Sequence, residues 1–177
     1  PDDSTPSKDT LDLLSQGLAN PIDHLPLFQQ SFSGKKIAII VDDTSRPTPV
    51  HLIFPKVMKE LDTMGVKKHN ISIIISLGTH SPLSKEEICK RLGTEELAGY
   101  TIINHNSNDS DMLLRLGKTQ RGAEVFINKE ICTSDFIISI GTIEPHLIAG
   151  FGGGLKNIIP GCAGQETISA THLKVPA

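Results

Sequence analysis

The run Lys35-Lys-Ile-Ala-Ile-Ile-Val-Asp-Asp43 decides the fold of this chain. Its centre is uninterrupted, apolar and mostly β-branched, and it lies between Gly34 and a Ser-Arg-Pro-Thr-Pro cluster. A short apolar run bounded by turn residues is typical of a buried strand. Apolar residues then recur at helical spacing from Leu52 to Leu61, and Pro49 suits a first helical turn. A buried strand followed by an amphipathic helix indicates an α/β fold.

The alternation of strand and helix continues along the chain. Further strands are predicted at residues 70–77, 101–105 and 135–140, and helical patterns at residues 11–18 and 163–174. Ser84-Lys-Glu-Glu87 matches a capping box and predicts a helix to about Leu92. Residues 124–128 resemble a strand, whereas the rest of residues 112–133 has no clear pattern. We therefore predict one α/β domain over residues 1–177, a layered Rossmann-like fold with a mostly parallel sheet.

Composition excludes several classes of function. A net charge of -3 lacks the basic footprint of a nucleic-acid-binding protein, and aromatic residues, at 4%, are too few for base-stacking platforms. The apolar runs are too short to span a bilayer, and no secretory signal opens the sequence. An odd number of scattered cysteines, three, argues against a disulfide framework and predicts a cytoplasmic protein. Because the chain begins with Pro1 rather than Met, we expect a fragment.

Polar side chains follow the predicted strands at the point where each strand ends. They are Asp42, Asp43 and Arg46 after the first strand, His80 after the second, His105 after the third, and Glu144 and His146 after the last. In open parallel sheets ligands bind outside the carboxyl ends of the strands. We therefore expect these groups to converge on one crevice.

The last strand leads into a glycine-rich loop between His146 and Lys156, with glycines at positions 150, 152, 153 and 154. Glycines in a row suggest that the backbone turns sharply or approaches something closely. Successive N–H groups of such a loop can cradle an anion, and a desolvated lysine can act as a nucleophile. The alternative is a plain flexible loop. Neither a zinc-site spacing nor a Walker P-loop occurs.

Two histidines and an arginine are the remaining candidates for chemistry. His80 and His146 could act as acid and base on opposite sides of one substrate carbon, and structural turn histidines are the alternative. Arg46 suits bidentate binding of a carboxylate or phosphate. It could instead form a solvated ion pair with Asp43 that has little consequence.

Taken together, these motifs resemble the N-terminal domain of the nickel-dependent lactate racemase family. The motifs are Asp43-x-x-Arg46-Pro-x-Pro, Gly78-Thr-His80, and Glu144-Pro-His146-x-x-Ala-Gly-Phe-x-Gly-Gly-x-Lys156-x-x-x-Pro-Gly161, followed by His172. The longest motif is the specific one, and the set covers nearly the whole chain, from about residue 35 to residue 175.

The resemblance implies a nickel-pincer nucleotide, a pyridinium mononucleotide that holds Ni(II) through two sulfur atoms and a carbon. By position, Lys156 matches the lysine that attaches this cofactor covalently, and His172 matches the histidine that completes nickel coordination. Gly153 and Gly154 would let the backbone approach the nucleotide beside the lysine. Imidazole with soft sulfur and carbon donors suits Ni(II).

The resemblance also implies a racemase or epimerase of a small 2-hydroxy acid such as lactate. His80 and His146 match the paired acid/base histidines, and Arg46 with Asp43 matches the motif that positions the substrate anion. In the family's mechanism one histidine removes the hydroxyl proton while the α-hydride moves to the cofactor, and the keto acid then receives hydride on its other face.

Some positions depart from the family pattern and leave the substrate open. Ser81-Pro82 stands where an arginine is common, Gly152 replaces a usual serine, and Leu155 replaces a frequent arginine. The family's second domain, which closes the cleft, has no counterpart here, so this chain alone is expected to be inactive. Two rival functions remain: a non-catalytic nucleotide- or phosphate-binding domain, and an enzyme in which Lys156 forms a Schiff base. A homo-oligomer is also left open.

Overall fold

The computed structural model describes residues 8–147 and 149–172, with side chains described for residues 12–147 and 149–171. In chain order the main elements are α1 (Lys8–Ala19), β1 (Ile37–Asp42), α2 (Val50–Thr63), β2 (Ile71–Ser76), α3 (Lys85–Leu92), β3 (Thr101–Asn104), β4 (Leu113–Lys118), β5 (Glu124–Asn128), α4 (Lys129–Cys132), β6 (Phe136–Ile140), β7 (Pro145–His146), β8 (Gly150–Phe151) and α5 (Gln165–His172). Short 3-10 helices lie at Leu27–Gln29, Lys68–Asn70, Ser110–Met112 and Gly154–Asn157.

A parallel sheet of strands in the order β3-β2-β1-β6 forms the centre of the domain. The central strand β1 places Asp42 opposite Ser76 of β2 and Val41 opposite Ile140 of β6. Both β1 and most of β2 are buried, which explains their near-continuous isoleucine and valine. This arrangement confirms the predicted α/β class and the parallel sheet.

Each face of the sheet is covered by its own layer. Helices α2 and α3 pack on one face, where Ile39, Ile73 and Phe54 belong to the larger apolar core. Segments from β5, α4 and α5 cover the other face, where Ile40 and Ile74 meet Ile127, Ile131 and Ile168. The three layers are those of the predicted Rossmann-like architecture.

Three elements, β4, α4 and β6, differ from the sequence-based expectation, and α4, like β4, lies in residues that were left without assignment. Residues 113–118, left without assignment, form β4 and pair antiparallel with β5 in a separate hairpin rather than in the main sheet. The strand β6, expected in the core, is an edge strand whose second face is partly open, and Ile137 is 41% exposed there. The reason is that the second layer spans β1, β2 and β3 but stops short of β6. None of the helices in the described part of the chain combines the length and apolarity needed to cross a bilayer.

Helix α3 begins and ends as its sequence predicts. The hydroxyl of Ser84 accepts a hydrogen bond from the Glu87 backbone at 3.2 Å, and the Glu87 carboxylate accepts one from the Ser84 backbone at 2.8 Å. Gly93 ends the helix in the left-handed conformation, with φ 67°. A Cβ there would lie 2.3 Å from the carbonyl oxygen of His51, so only glycine fits against α2.

We expect Ser84→Ala to lower the free energy of unfolding by about 1 kcal/mol, because one N-terminal backbone donor of α3 loses its acceptor. Denaturant titration followed by circular dichroism measures this change. Ser84→Thr keeps the hydroxyl and should lose clearly less. Equal losses in both variants would show that the cap contributes nothing.

Candidate active site

The carboxyl ends of β1, β2 and β6 meet at one edge of the sheet and enclose a cavity of about 190 Å³. Its lining includes Asp43, Arg46, His80, His146 and Lys156. The structure therefore brings together these five of the site residues that the sequence singled out. Gly153 and Gly154 border a neighbouring pocket, which they share with Lys156, and the side chain of His172 lies outside the described residues. The strands that lead to His80 and His146 are not neighbours, because β1 lies between them. The two histidines consequently flank the segment that carries Asp43 and Arg46.

Asp43 is the buried acid of the site. Its side chain is 8% exposed, and its carboxylate accepts hydrogen bonds from the Ser45 hydroxyl at 2.5 Å, the Ser45 backbone at 3.1 Å and Nδ1 of His80 at 2.5 Å. Burial would raise the pKa of Asp43, but the bonds from Ser45 and His80 outweigh it, and the pKa lies below its ordinary value. Asp43 is therefore ionised near neutral pH and holds His80 in place.

The hydrogen bonds of the two histidines select opposite tautomers. Since a carboxylate only accepts, His80 donates from Nδ1 to Asp43 and, as a neutral ring, carries its lone pair on Nε2. His146 accepts at Nδ1 from the backbone N–H of Ala149 at 3.1 Å, so its neutral ring carries the proton on Nε2. One histidine is thus set to accept a proton and the other to donate one.

Arg46 pairs with Glu144, not with Asp43. Its guanidinium lies 3.0 Å from the Glu144 carboxylate, and both side chains are about 30% exposed. The alternative of an Asp43–Arg46 ion pair is therefore wrong, because Asp43 is directed towards His80 and Ser45. A partly exposed pair of this kind contributes little to stability and separates at low cost.

Lys156 lies in the 3-10 helix Gly154–Asn157 and borders the cavity. Partial burial and the nearby charge of Arg46 lower the pKa of Lys156, although Glu144 and Asp43 act in the opposite direction. A lowered pKa increases the fraction of neutral amine, which is the nucleophilic form. The lowered pKa therefore supports the prediction that Lys156 can act as a nucleophile.

Asn157 anchors the lysine segment and was missed in the sequence. Its side-chain amide donates to the Ile140 carbonyl and the Ser139 hydroxyl, both at 3.1 Å. Its backbone carbonyl accepts from the Ser76 hydroxyl at 2.9 Å. These bonds tie the segment to β6 and β2. Its place directly after Lys156 was the only available signal.

The glycine loop folds back on the chain's own backbone. Gly153 has φ 66°, and a Cβ there would lie 2.5 Å from the carbonyl oxygen of Thr142. The Gly152 N–H donates to the Glu144 carbonyl at 2.7 Å. The predicted close approach thus occurs, but to the segment after β6. A role for Gly153 and Gly154 in holding a nucleotide remains a prediction.

Two other histidines behave differently. His105 is buried, donates from Nε2 to the Ala163 carbonyl at 2.9 Å, and lies 3.3 Å from the Asn128 amide nitrogen. Burial lowers the pKa of His105, which favours its neutral form. His105 does not line the cavity, contrary to expectation, but borders a neighbouring pocket together with His80. His172 ends α5, but its side chain lies outside the described residues. Among the side chains that are described, no three His, Cys, Asp or Glu residues group as metal ligands.

Known proteins resemble this chain over most of its length. The family model of the lactate racemase N-terminal domain matches residues 1–177. The lactate racemase of Lactiplantibacillus plantarum is 33% identical over 159 residues, which cover 90% of this chain and 37% of that protein. The lactate racemase of Thermoanaerobacterium thermosaccharolyticum is 32% identical over 161 residues, which cover 91% and 38% respectively. The chain thus spans little more than a third of the length of these relatives.

Solved structures agree with the sequence comparison. The lactate racemase apoprotein from Thermoanaerobacterium thermosaccharolyticum superposes with a TM-score of 0.81 at 31% identity, covering 90% of this chain and 38% of that one. A protein from Thermotoga maritima gives a TM-score of 0.68 at 23% identity, over 93% of this chain and 39% of that one. The second likeness supports the fold alone.

We expect Asp43→Asn to reduce the free energy of unfolding by about 1.5–3 kcal/mol near neutral pH, because hydrogen bonds to an ionised acceptor are lost. Since the folded pKa is depressed, this stabilisation is complete above about pH 4, the unfolded value, and disappears as pH falls through the folded value. Urea titrations across this range measure it. The exposed Asp111→Asn serves as the control. A constant difference between wild type and Asp43→Asn at every pH would contradict the assignment.

We expect the reactivity of Lys156 to follow its two charged neighbours in opposite directions. Arg46→Ala removes a repulsive charge, so the pKa of Lys156 rises and labelling by trinitrobenzenesulfonate slows by about two- to fivefold. Glu144→Gln removes an attractive charge and should accelerate labelling. Peptide mass spectrometry gives the rate at Lys156, with the exposed Lys129 as an internal reference. A shift of the same sign in both variants would mean that structure rather than charge sets the reactivity.

Proposed function

Since the chain belongs to the family of lactate racemase N-terminal domains, we propose that it carries the cofactor attachment point and the acid/base pair of a 2-hydroxy-acid racemase or epimerase. The observation that carries the proposal is the arrangement around the cavity. A lysine of lowered pKa borders the same space as two histidines set in opposite tautomers. An inversion at carbon needs one group on each side of the substrate, which this pair supplies.

The cofactor we propose is the nickel-pincer nucleotide, and the chemistry of Lys156 fits it. The neutral amine of Lys156 would form the covalent link, and His172, at the end of α5, would be the protein ligand of nickel. When bound, this group would accept the α-hydride of the substrate and return it. Gly153 and Gly154 would border the nucleotide beside the lysine.

The remaining side chains would handle the substrate's charge and its hydroxyl proton. Arg46 would bind the carboxylate, which requires it to share or exchange its partner Glu144. His80 would accept the hydroxyl proton at Nε2 while Asp43 stabilises the imidazolium that forms. His146 would return a proton from Nε2. Asp43, expected to position the substrate anion, would thus act through His80 instead.

The whole enzyme and its partners belong to the same proposal. The substrate would be a small 2-hydroxy acid, lactate or a close relative, and the reaction would take place in the cytoplasm. A second domain of the same polypeptide would complete the cleft, as the greater length of the relatives suggests. Nucleic acid is not an expected partner of a chain with net charge -3.

The first test is the intact mass and nickel content of the full-length protein, produced together with the enzymes that build the cofactor. We expect a covalent adduct at Lys156 and about one nickel per chain, since a structural attachment binds one group per site. Lys156→Ala should abolish the adduct, whereas Lys129→Ala should retain it. Adduct retained in Lys156→Ala would exclude the assigned lysine. Unmodified wild-type protein that binds ordinary mononucleotides would favour the binding-domain alternative.

The second test separates the roles of the histidines and the type of hydrogen transfer. We expect His80→Gln and His146→Gln each to lower kcat by about 10²- to 10⁴-fold, because each removes a general acid/base group. The exposed His69→Gln is the matched control. A 2-deuterated substrate should keep its deuterium in the product, because hydride transfer does not exchange with water. Loss of the label to solvent would instead indicate proton abstraction at carbon and would refute the proposed mechanism.

A further inference from the structure

A buried cluster around Arg91 lies beneath the loop that carries Asp43 and Arg46. Arg91 belongs to α3, and its guanidinium pairs with the carboxylate of Asp42, the last residue of β1. The two side chains are only 10% and 7% exposed. In the sequence Arg91 appears as an ordinary basic residue in the last turn of an amphipathic helix, with no motif around it.

Arg91 closes the β1–α2 loop by binding the backbone on both sides of it. It donates from Nε to the Asp42 carbonyl at 3.0 Å and from a terminal nitrogen to the Thr48 carbonyl at 2.9 Å. The same nitrogen lies 3.4 Å from the carbonyl of Arg46. These acceptors lie at the start, middle and end of the segment that presents Asp43 and Arg46 to the cavity. The forked guanidinium is suited to several such contacts at once.

Thr48 connects the β1–α2 loop to the segment that follows β6. Its hydroxyl donates to the Asp42 carboxylate at 2.5 Å and accepts from the Thr142 backbone N–H at 2.9 Å. Thr142 directly precedes the residues that lead to Glu144 and His146. The loop with Arg46 and the segment with its ion-pair partner Glu144 are therefore joined through one buried hydroxyl.

We propose that Arg91 and Thr48 are positioning residues for the site: they fix the β1–α2 loop and couple it to the segment that carries Glu144 and His146. This inference rests on the proposed function for its kinetic consequences. Neither side chain lines the cavity. Both act through the residues that do, because small displacements of substrate-binding groups have large effects on rate.

The first measurement compares Thr48→Val and Thr48→Ser in the full-length enzyme. Valine keeps the shape and removes the hydroxyl, so we expect kcat/KM for a 2-hydroxy acid to fall about tenfold or more. Serine restores the hydroxyl and should keep kcat/KM within about twofold of wild type. In an Arg46→Ala background, Thr48→Val should lower kcat/KM by a smaller factor, because Arg46, one of the groups that it displaces, is already absent. Full additivity would indicate a merely structural role and overturn the proposal.

Arg91→Lys gives an independent check. Lysine retains a positive charge near Asp42 but lacks the fork that binds the loop carbonyls, so we expect KM to rise about tenfold with a smaller change in kcat. Lys90→Ala, at an exposed position of the same helix, is the control and should leave both constants unchanged. A lower melting temperature with unchanged kcat and KM would count against positioning.

Amide hydrogen exchange in the same full-length variants needs no turnover and separates the two proposals. The Thr142 amide should exchange faster in Thr48→Val than in Thr48→Ser, because only valine lacks its acceptor. If the wild-type enzyme shows no racemisation, the proposed function fails. The exchange rate of the Thr142 amide would still decide whether Arg91 and Thr48 hold the two segments together. Unchanged exchange at Thr142 would refute the coupling itself.

Discussion

The parallel register of β1 between β2 and β6 is the constraint on which the site depends. Asp42 lies opposite Ser76 and Val41 opposite Ile140, so three segments leave the sheet side by side at one edge. A slip of one residue would turn every side chain of a strand to the other face and would displace the residues at its carboxyl end from the edge. The cavity and the groups around it follow from the way these three strands end.

The charges of the site are held by two pairs of different character. The Asp43–His80 pair rests on a carboxylate that is 8% exposed, so removing His80 would leave this buried charge with only its two hydrogen bonds from Ser45. Arg46 and Glu144 are partly exposed, and solvent makes their separation inexpensive. On the proposed function, Arg46 is therefore the group that can change partners when a carboxylate arrives, whereas Asp43 stays in place and keeps His80 oriented.

Periodicity predicted the strands of the main sheet and the helices between them. The central strands β1 and β2 are buried on both faces and are almost continuously apolar, whereas the helices are buried on one face and show apolar residues at helical spacing. Periodicity did not reveal β4, where exposed Arg115 and Lys118 interrupt the pattern. The sequence also located the strand ends, but not which acid meets which base: the pairing of Asp43 with His80 depends on tertiary geometry. Likewise, nothing local distinguishes the buried Arg91 from a surface arginine, whereas the motif Gly78-Thr-His80 did set His80 apart from His105.

On the proposed function, the exposure of the site residues indicates which surfaces a second domain would cover. The His80 side chain is 56% exposed, so on its own the acid/base pair would exchange protons with bulk water. Hydride chemistry requires water to be excluded from the reacting centre. On the other side of Lys156, Phe151 and Leu155 are also exposed, at 64% and 82%. A second domain that covered both regions would bury apolar surface and at the same time strengthen each electrostatic contact in the cavity, because the local dielectric constant would fall. Burial of this apolar surface would then drive domain closure, and the same closure would exclude water from the reacting groups.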